Sequence, residues 1–396
     1  MTPPIPLRIG DEEVREDRFS RFRLIPWWDQ KKLQSARVLV IGAGALGNEI
    51  LKNLGLLGFE RIVIVDLDKV EESNLSRTIL YRDGDVGSYK AEAAARSVKA
   101  LAPNVRIRPL VANVVQDCGL GLFAWSDVII AGLDNREARL CINRCAWKMN
   151  RPWIDGAIEG INGVAKVFLA GTAPCYECTL GETDWKLLEQ RMSCNMLLRE
   201  AITEGKIATT PTISSVIAGI EVQEAVKLLH GMPTLAGSGF VFEGLNHTSY
   251  KVEYTENADC MSHFTYESVT ELPRKSSEWT LEDLRGHGAE DLGATAVVVE
   301  FSRDIVRELE CPQCGAKEEI FAPVGSLTYE RGRCPRDGQR RVVKTIHSYG
   351  GNEDFGKRTL DKLGLPLFDV FTVRTGEKEK AYLMAGDKSA VLGEGL

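Results

Sequence analysis

Arg21, Arg77 and Lys90 are three cations, Asn74 is an amide and Asp134 a carboxylate, and all five flank two short motifs in the first third of the chain. Gly42, Gly44 and Gly47, in VLVIGAGALG, form G-x-G-x-x-G. At a strand-to-helix turn that pattern lets backbone N–H groups approach an anion at the helix N-terminus. Asp66, in VDLDKVEESNLSR, ends the following apolar run, where such folds hold ribose hydroxyls. Glycines and acid alone serve any nucleotide, NAD included. The added cations, with Asp134 after the apolar run DVIIAGL, suit a triphosphate with Mg2+. No histidine precedes His230, so this front half is built for charge neutralisation and not for histidine general-base work.

The elements that must position these groups can be read from the pattern. ARVLVIGAG is a short apolar run ending in glycine, NEILKNLGLLG has helical spacing up to Gly58, and RIVIVDLD is a second apolar run. Together they predict a right-handed parallel strand–helix–strand unit. SYKAEAAARSVKALAP predicts a helix stopping at Pro103; VRIRPLVANV and SDVIIAGLD predict strands, with NREARLCINRCAWKMN as a helix after them. The fold class is α/β, doubly wound and Rossmann-like. From about Asn162, GVAKVFLAG and GFVFEGLNHTSYKVEY alternate, which predicts an antiparallel extension. TTPTISSVIAGIEVQEAVKLLHG lies between them as a long apolar helix closed by Gly231. The expected organisation is a nucleotide-binding domain over 1–264 with a crossover segment at about 175–212, a polar linker over 265–280, and a small α+β domain over 281–396.

The ten cysteines point to metal or catalysis more than to disulfides. Cys175 and Cys178 form C-x-x-C, and no thioredoxin-like pattern surrounds them to favour a redox role. Cys311 and Cys314, in CPQCG, form a zinc knuckle; RCPRDG repeats its shape at Cys334, with Asp337 in the second ligand position and His347 as another candidate. Cys118, Cys141 and Cys145 lie on strand or helix patterns and read as core. Cys194 is flanked by Arg191 and Arg199, which favour thiolate.

The bulk numbers exclude several classes. At 396 residues, 44% hydrophobic and 27% charged, the chain has material for two domains with real cores. A net charge of −7 gives no reason to expect nucleic acid, and no apolar run reaches the length of a membrane span. The first residues, MTPPIPLRIGDEEVRED, lack the apolar core of a signal peptide, so a cytoplasmic location with reduced thiols is expected.

Residues 18 to about 263 resemble the ubiquitin-activating-enzyme-like superfamily, which includes the ThiF, MoeB and HesA proteins. The resemblance is carried, in order, by RFSR, VLVIGAGALG, VDLDKVEESNLSR, VGSYKAEAAA, AGLDN, CYEC and PTISSVIAGIEVQEAVKLL. It implies an ATP-using adenylation domain in which Asp66 binds ribose, Asn74, Arg77 and Lys90 contact phosphates, and Asp134 holds Mg2+. It implies that Arg21 reaches into the site of a dimer partner, hence a homodimer. It implies a zinc site completed after the domain's last strand, here by Cys260 and His263 where the family has a second C-x-x-C. In thioester-forming members the crossover segment carries the catalytic cysteine, here Cys194. Thr78 stands where members often have Gln or His.

The activity so implied is adenylation of the C-terminal carboxylate of a ubiquitin-like protein, capture as a thioester, and transfer to a conjugating enzyme, which the C-terminal domain would dock by analogy of position and size. Residues 187–230 have the general look of activating enzymes from bacterial ubiquitin-like conjugation clusters, some linked to defence against phage. Three other readings stand beside it: an adenylyltransferase for a sulfur carrier in thiamine or molybdenum-cofactor synthesis, with Cys194 incidental; a catalytically silent scaffold half, against which Arg21, Arg77 and Asp134 argue; and an NAD oxidoreductase, resting only on the glycines and Asp66.

Overall fold

The computed structural model describes residues 16–172, 174–192 and 208–396. β1 (Arg37–Ile41), β2 (Arg61–Val65), β3 (Arg106–Leu110), β4 (Val128–Ala131) and β5 (Trp153–Glu159) are parallel neighbours. β6 (Asn162–Phe168), β7 (Ser238–Glu243) and β8 (Thr248–Glu253) extend the sheet antiparallel, giving the order β3-β2-β1-β4-β5-β6-β7-β8. RVLVI, RIVIV and VIIA become the central strands because their branched apolar runs can be buried on both faces. β3 is the edge, which is why it tolerates Pro109.

Alternate residues of each strand face two apolar layers. Val38, Val40, Ile62, Ile64 and Val128 pack with helices α2 (Ala45–Leu57), α3 (Lys90–Leu101) and α7 (Pro211–Leu229). Leu39, Ile41, Val63, Val65 and Ile129 pack on the other side with α4 (Leu120–Trp125) and α5 (Arg136–Lys148). Two further helices are α1 (Gln30–Ser35), before the sheet, and α6 (Glu182–Met192), after β6. α4 has no counterpart among the expected elements: GLGLFAW is too short and too uniformly apolar to show a helical period. Strand order reverses between β1 and β4, so a crevice opens at their C-terminal ends.

A second sheet follows. β9 (Val269–Leu272), β10 (Val298–Glu310), β11 (Lys317–Pro323), β12 (Val342–Tyr349), β13 (Val370–Thr375) and β14 (Lys378–Met384) take the order β11-β10-β13-β14-β9, with β12 paired to β10. α8 (Leu281–Leu292) begins at a Thr280–Asp283 capping box and stops at left-handed Gly293; α9 (Lys388–Leu392) closes the chain. Residues 265–280, expected as a linker, carry β9, which runs parallel to β14. An edge strand needs only one buried face, here Leu272, so a polar composition hides it.

The two sheets share a core. Phe368, Val370, Ala381, Leu383 and Leu392 join the α4–α5 layer of the first sheet. Arg303 of β10 donates to the carbonyls of Val115 and Cys118, both at 2.6 Å, and Asp369 accepts from Leu120 N at 2.7 Å. A Cβ at Gly121 would lie 2.4 Å from Phe368 O, so only glycine fits this approach.

Candidate nucleotide and metal sites

A cavity of about 410 Å³ lies at the switch point. Gly42, Gly44, Asp66, Asn74, Arg77, Lys90 and Asp134 all line it. Gly42 takes φ +94°, with Gly132 O 2.5 Å from where a Cβ would sit; a Cβ at Gly47 would lie 2.0 Å from Gly42 O. Gly42 and Gly47 thus let the turn after β1 fold back on the start of α2. Asp66 Oδ2 accepts from Ala43 N at 2.7 Å and Oδ1 from Asp68 N at 2.8 Å. Burial pushes the Asp66 carboxyl above the usual range, with Lys90 pulling the other way. Lys90, at the first turn of α3, pairs with Asp68 at 2.8 Å. Arg77 donates to Ser73 O at 2.6 Å, and Asn74 accepts from Glu71 N at 3.0 Å, which fixes the loop between β2 and α3 over the cavity. Thr78, the departure from the family pattern, donates to Asn74 O at 2.9 Å and sits buried in that loop.

Two positioning residues escaped the sequence reading. Buried Asn48 donates to Ala43 O at 2.7 Å and accepts from Leu80 N at 2.9 Å, tying the glycine turn to the Arg77 loop. Arg139 donates to Asp155 at 2.8 Å, to Gly156 O at 2.9 Å and to Leu133 O, directly beside Asp134. The motif AGLDN holds Asp134 but not Arg139, whose signal in the sequence is an arginine at helical spacing on an otherwise core-facing stretch.

A second cavity, of about 500 Å³, shares Asp134, Arg139, Ala157 and Ile158 with the first and continues along β6 and β7. Lys166 stands in it over the rings of Tyr176 (5.6 Å) and Tyr254 (5.2 Å), and burial lowers its pKa.

The remaining expected residues fall in three places. Arg21 does not line either cavity: its side chain is 83% exposed and 3.8 Å from Glu16. Cys194 and Arg199 lie outside the described residues. Cys175, Cys178, Cys260 and His263 converge, with Sγ atoms of Cys175 and Cys178 3.8 Å apart, of Cys175 and Cys260 3.6 Å apart, and Cys178 Sγ 3.4 Å from His263 Nε2. Four zinc ligands with Zn–S of about 2.3 Å in a tetrahedron stand about 3.8 Å apart, so these donors fit Zn2+. Trp147 stacks on the His263 ring at 4.6 Å, and Glu177 links Arg144 to Ser262 beside it. Cys311, Cys314, Cys334 and Asp337 form another such group in the second sheet, and exposed His347 on β12 is not part of it. Cys118 and Cys145 are buried and Cys141 half-buried.

A doubly wound sheet whose switch-point cavity carries a glycine turn, an acid at the end of β2 and the cations Arg77 and Lys90 defines a Rossmann-like nucleotide-binding protein. The chain belongs to the ThiF family, which matches residues 17–262. It is 33% identical over 232 residues to the SAMP-activating enzyme E1 of Haloferax volcanii, covering 58% of this chain and 81% of that protein. It is 34% identical over 241 residues to the probable adenylyltransferase/sulfurtransferase MoeZ of Mycobacterium tuberculosis (60% and 59%) and 40% identical over 157 residues to the Nedd8-activating enzyme E1 catalytic subunit of Drosophila melanogaster (36% and 35%). The chain thus spans about a third of the length of that Nedd8-activating relative. Among solved structures, E. coli MccB shares the fold, with TM-score 0.52 and 20% identity over 63% of this chain and 75% of that one. Among the described residues no helix is long and apolar enough to cross a membrane.

Proposed function

We propose that the protein uses ATP to adenylate the C-terminal carboxylate of a small ubiquitin-fold protein, takes it onto Cys194 as a thioester, and passes it to a conjugating enzyme. The observation that carries the adenylation step is the single cavity lined by Asp66, Asn74, Arg77, Lys90 and Asp134, continuous with a second cavity along β6 and β7. The first has room for a nucleotide, with Asp66 at the ribose and Arg77 and Lys90 at the phosphates. The second would take the incoming peptide tail. A C-terminal carboxylate is ionised at neutral pH and needs no general base. It needs its charge screened as it attacks the α-phosphate, and Arg77 and Lys90 stand there to do that. Asp134 lines both cavities and offers the hard oxygen donor that suits Mg2+, which when bound supplies further charge neutralisation to the polyphosphate. Arg21, exposed and away from its own cavity, would serve the site of a second copy in a homodimer. Cys175, Cys178, Cys260 and His263 would hold a structural Zn2+ joining the crossover to the domain's end.

A second reading, adenylation of a sulfur carrier, is favoured by the similarity to MoeZ. Both readings predict ATP–pyrophosphate exchange dependent on the small protein. Asp134→Ala and Arg77→Ala should each lower it by roughly 10²–10³, the usual cost of one group stabilising transition-state charge. Full exchange in both variants refutes adenylation at this cavity.

A further inference from the structure

The second sheet carries a cysteine cluster that the adenylation reading does not use. It is built from two matching turns. Cys311 N donates to Ala316 O at 2.9 Å, and Cys334 N to Gln339 O at 2.8 Å. Gly315 N donates to Cys311 O at 3.0 Å, and Gly338 N to Cys334 O at 2.9 Å. Gly315 and Gly338 take φ +69° and +70°. The two turns are therefore copies in conformation, and Asp337 holds in the second the place that Cys314 holds in the first.

The turns face each other with ligand atoms inward. All four lie within 4.8 Å of one another, Cys314 Sγ 3.6 Å from Cys334 Sγ and Cys311 Sγ 3.3 Å from Asp337 Oδ2. A tetrahedral zinc with Zn–S of about 2.3 Å and Zn–O of about 2.1 Å sets its ligands about 3.6–3.8 Å apart. An independent observation concerns the lobe these turns close. From Val306 to Val343 its own apolar cluster buries only Val306, Leu309 and Leu327, with Ile320, Val324 and Val343 partly buried, and Phe321 is the one residue of this range in the larger core. The larger core of the second sheet stops at Ile305 on β10, where the strand bulges. A lobe that buries so little apolar surface needs a staple.

We propose that Cys311, Cys314, Cys334 and Asp337 bind a structural Zn2+ separate from that of the Cys175 group, that this ion keeps the lobe folded, and that it is held less tightly than a four-thiolate site. Thiolates are the soft donors that favour zinc, and a carboxylate is a harder and weaker substitute. Coupling of metal to folding follows, because without the ion the thiols and Asp337 lose their common partner.

The full chain should contain two zinc ions, one for each ligand group, and Cys314→Ser should contain one. Stripping the second ion, by that variant or by chelator, should abolish hydrogen-exchange protection in β11 and β12 while β13 and β14 keep theirs. Asp337→Cys should raise the chelator concentration needed to remove it by at least about tenfold, the scale on which metal sites respond to a change around the ion. One zinc in the wild type with Cys314→Ser unchanged, intact protection after stripping, or an Asp337→Cys protein no harder to strip would each overturn the proposal. Should Cys314→Ser fail to fold, chelator stripping of the wild type and Asp337→Asn give the same readouts.

Discussion

Arg139 and Asp155 form an ion pair at 2.8 Å on the wall of the second cavity, where Arg139 also borders the first, with side chains 11% and 2% exposed. The pair links α5 to β5 and, through Leu133 O, fixes the residue before Asp134. Removing one partner of a buried pair leaves an uncompensated charge and costs about 3–5 kcal/mol. Arg139→Leu should therefore lower the urea midpoint strongly, and adding Asp155→Asn should recover part of the loss. A single variant as stable as wild type would show that the pair is not what holds this wall.

Behind that wall lies Glu221 of α7, fully buried, with neither carboxylate oxygen hydrogen-bonded. Gly156 leaves the space it fills: a Cβ there would lie 2.5 Å from the Glu221 carboxyl. Burial, and after it the charge of Asp155, push its pKa well up, with Arg139 opposing. The folded state thus binds the proton more tightly than the unfolded chain, whose glutamates titrate near pH 4.3. Stability from this group is present in acid and falls as pH rises above the unfolded value toward the folded one. Gln cannot titrate, so Glu221→Gln should gain stability relative to wild type between pH 5 and pH 8, read as a growing difference in urea midpoint. A difference that stays constant with pH would mean that Glu221 does not hold its proton.

Much of the front half was legible because its signals are local. Branched runs of four or five residues give β1, β2 and β4, and glycines at fixed spacing give the turn, so Asp66 and Asp134 can be placed at strand ends, and Arg77 in the loop after β2, from sequence alone. Asn48, Arg139 and Glu221 were not legible, because their roles come from partners that only the tertiary fold brings near: Leu80, Asp155 and Gly156. The same holds for β9, whose pairing with β14 joins residues more than a hundred positions apart. His263 and Cys260 were reachable only through the family resemblance, since nothing in their own spacing ties them to Cys175. Asp337 was legible because RCPRDG repeats CPQCG in sequence before it repeats it in space.

Arg21 tests the dimer. Its exposed side chain does not line its own chain's cavity. Arg21→Ala and Asp134→Ala should each lose pyrophosphate exchange, and mixed dimers of the two should regain a fraction, since one of their two sites combines an intact Arg21 with an intact Asp134. Mixed dimers demonstrated by tagging but without recovered exchange would refute action in trans.

Cys194 separates conjugation from sulfur transfer. An acyl adenylate is reactive, and a thiolate close by would capture it as a thioester, releasing AMP and keeping the acyl group activated. Arg191 and Arg199 flank Cys194 in sequence and favour its thiolate form. The charge-neutralising groups named for adenylation are Arg77, Lys90 and Asp134 at the switch-point cavity, so exchange should not depend on this residue. Cys194→Ala should then keep full pyrophosphate exchange and form no thiol-sensitive adduct with the ubiquitin-like protein, while Cys194→Ser should trap an ester that thiols cleave more slowly. An adduct that survives Cys194→Ala would move the chemistry to another cysteine. A wild-type enzyme that accumulates adenylate without ever forming the adduct would stop at adenylation, and the sulfur-carrier reading would replace conjugation.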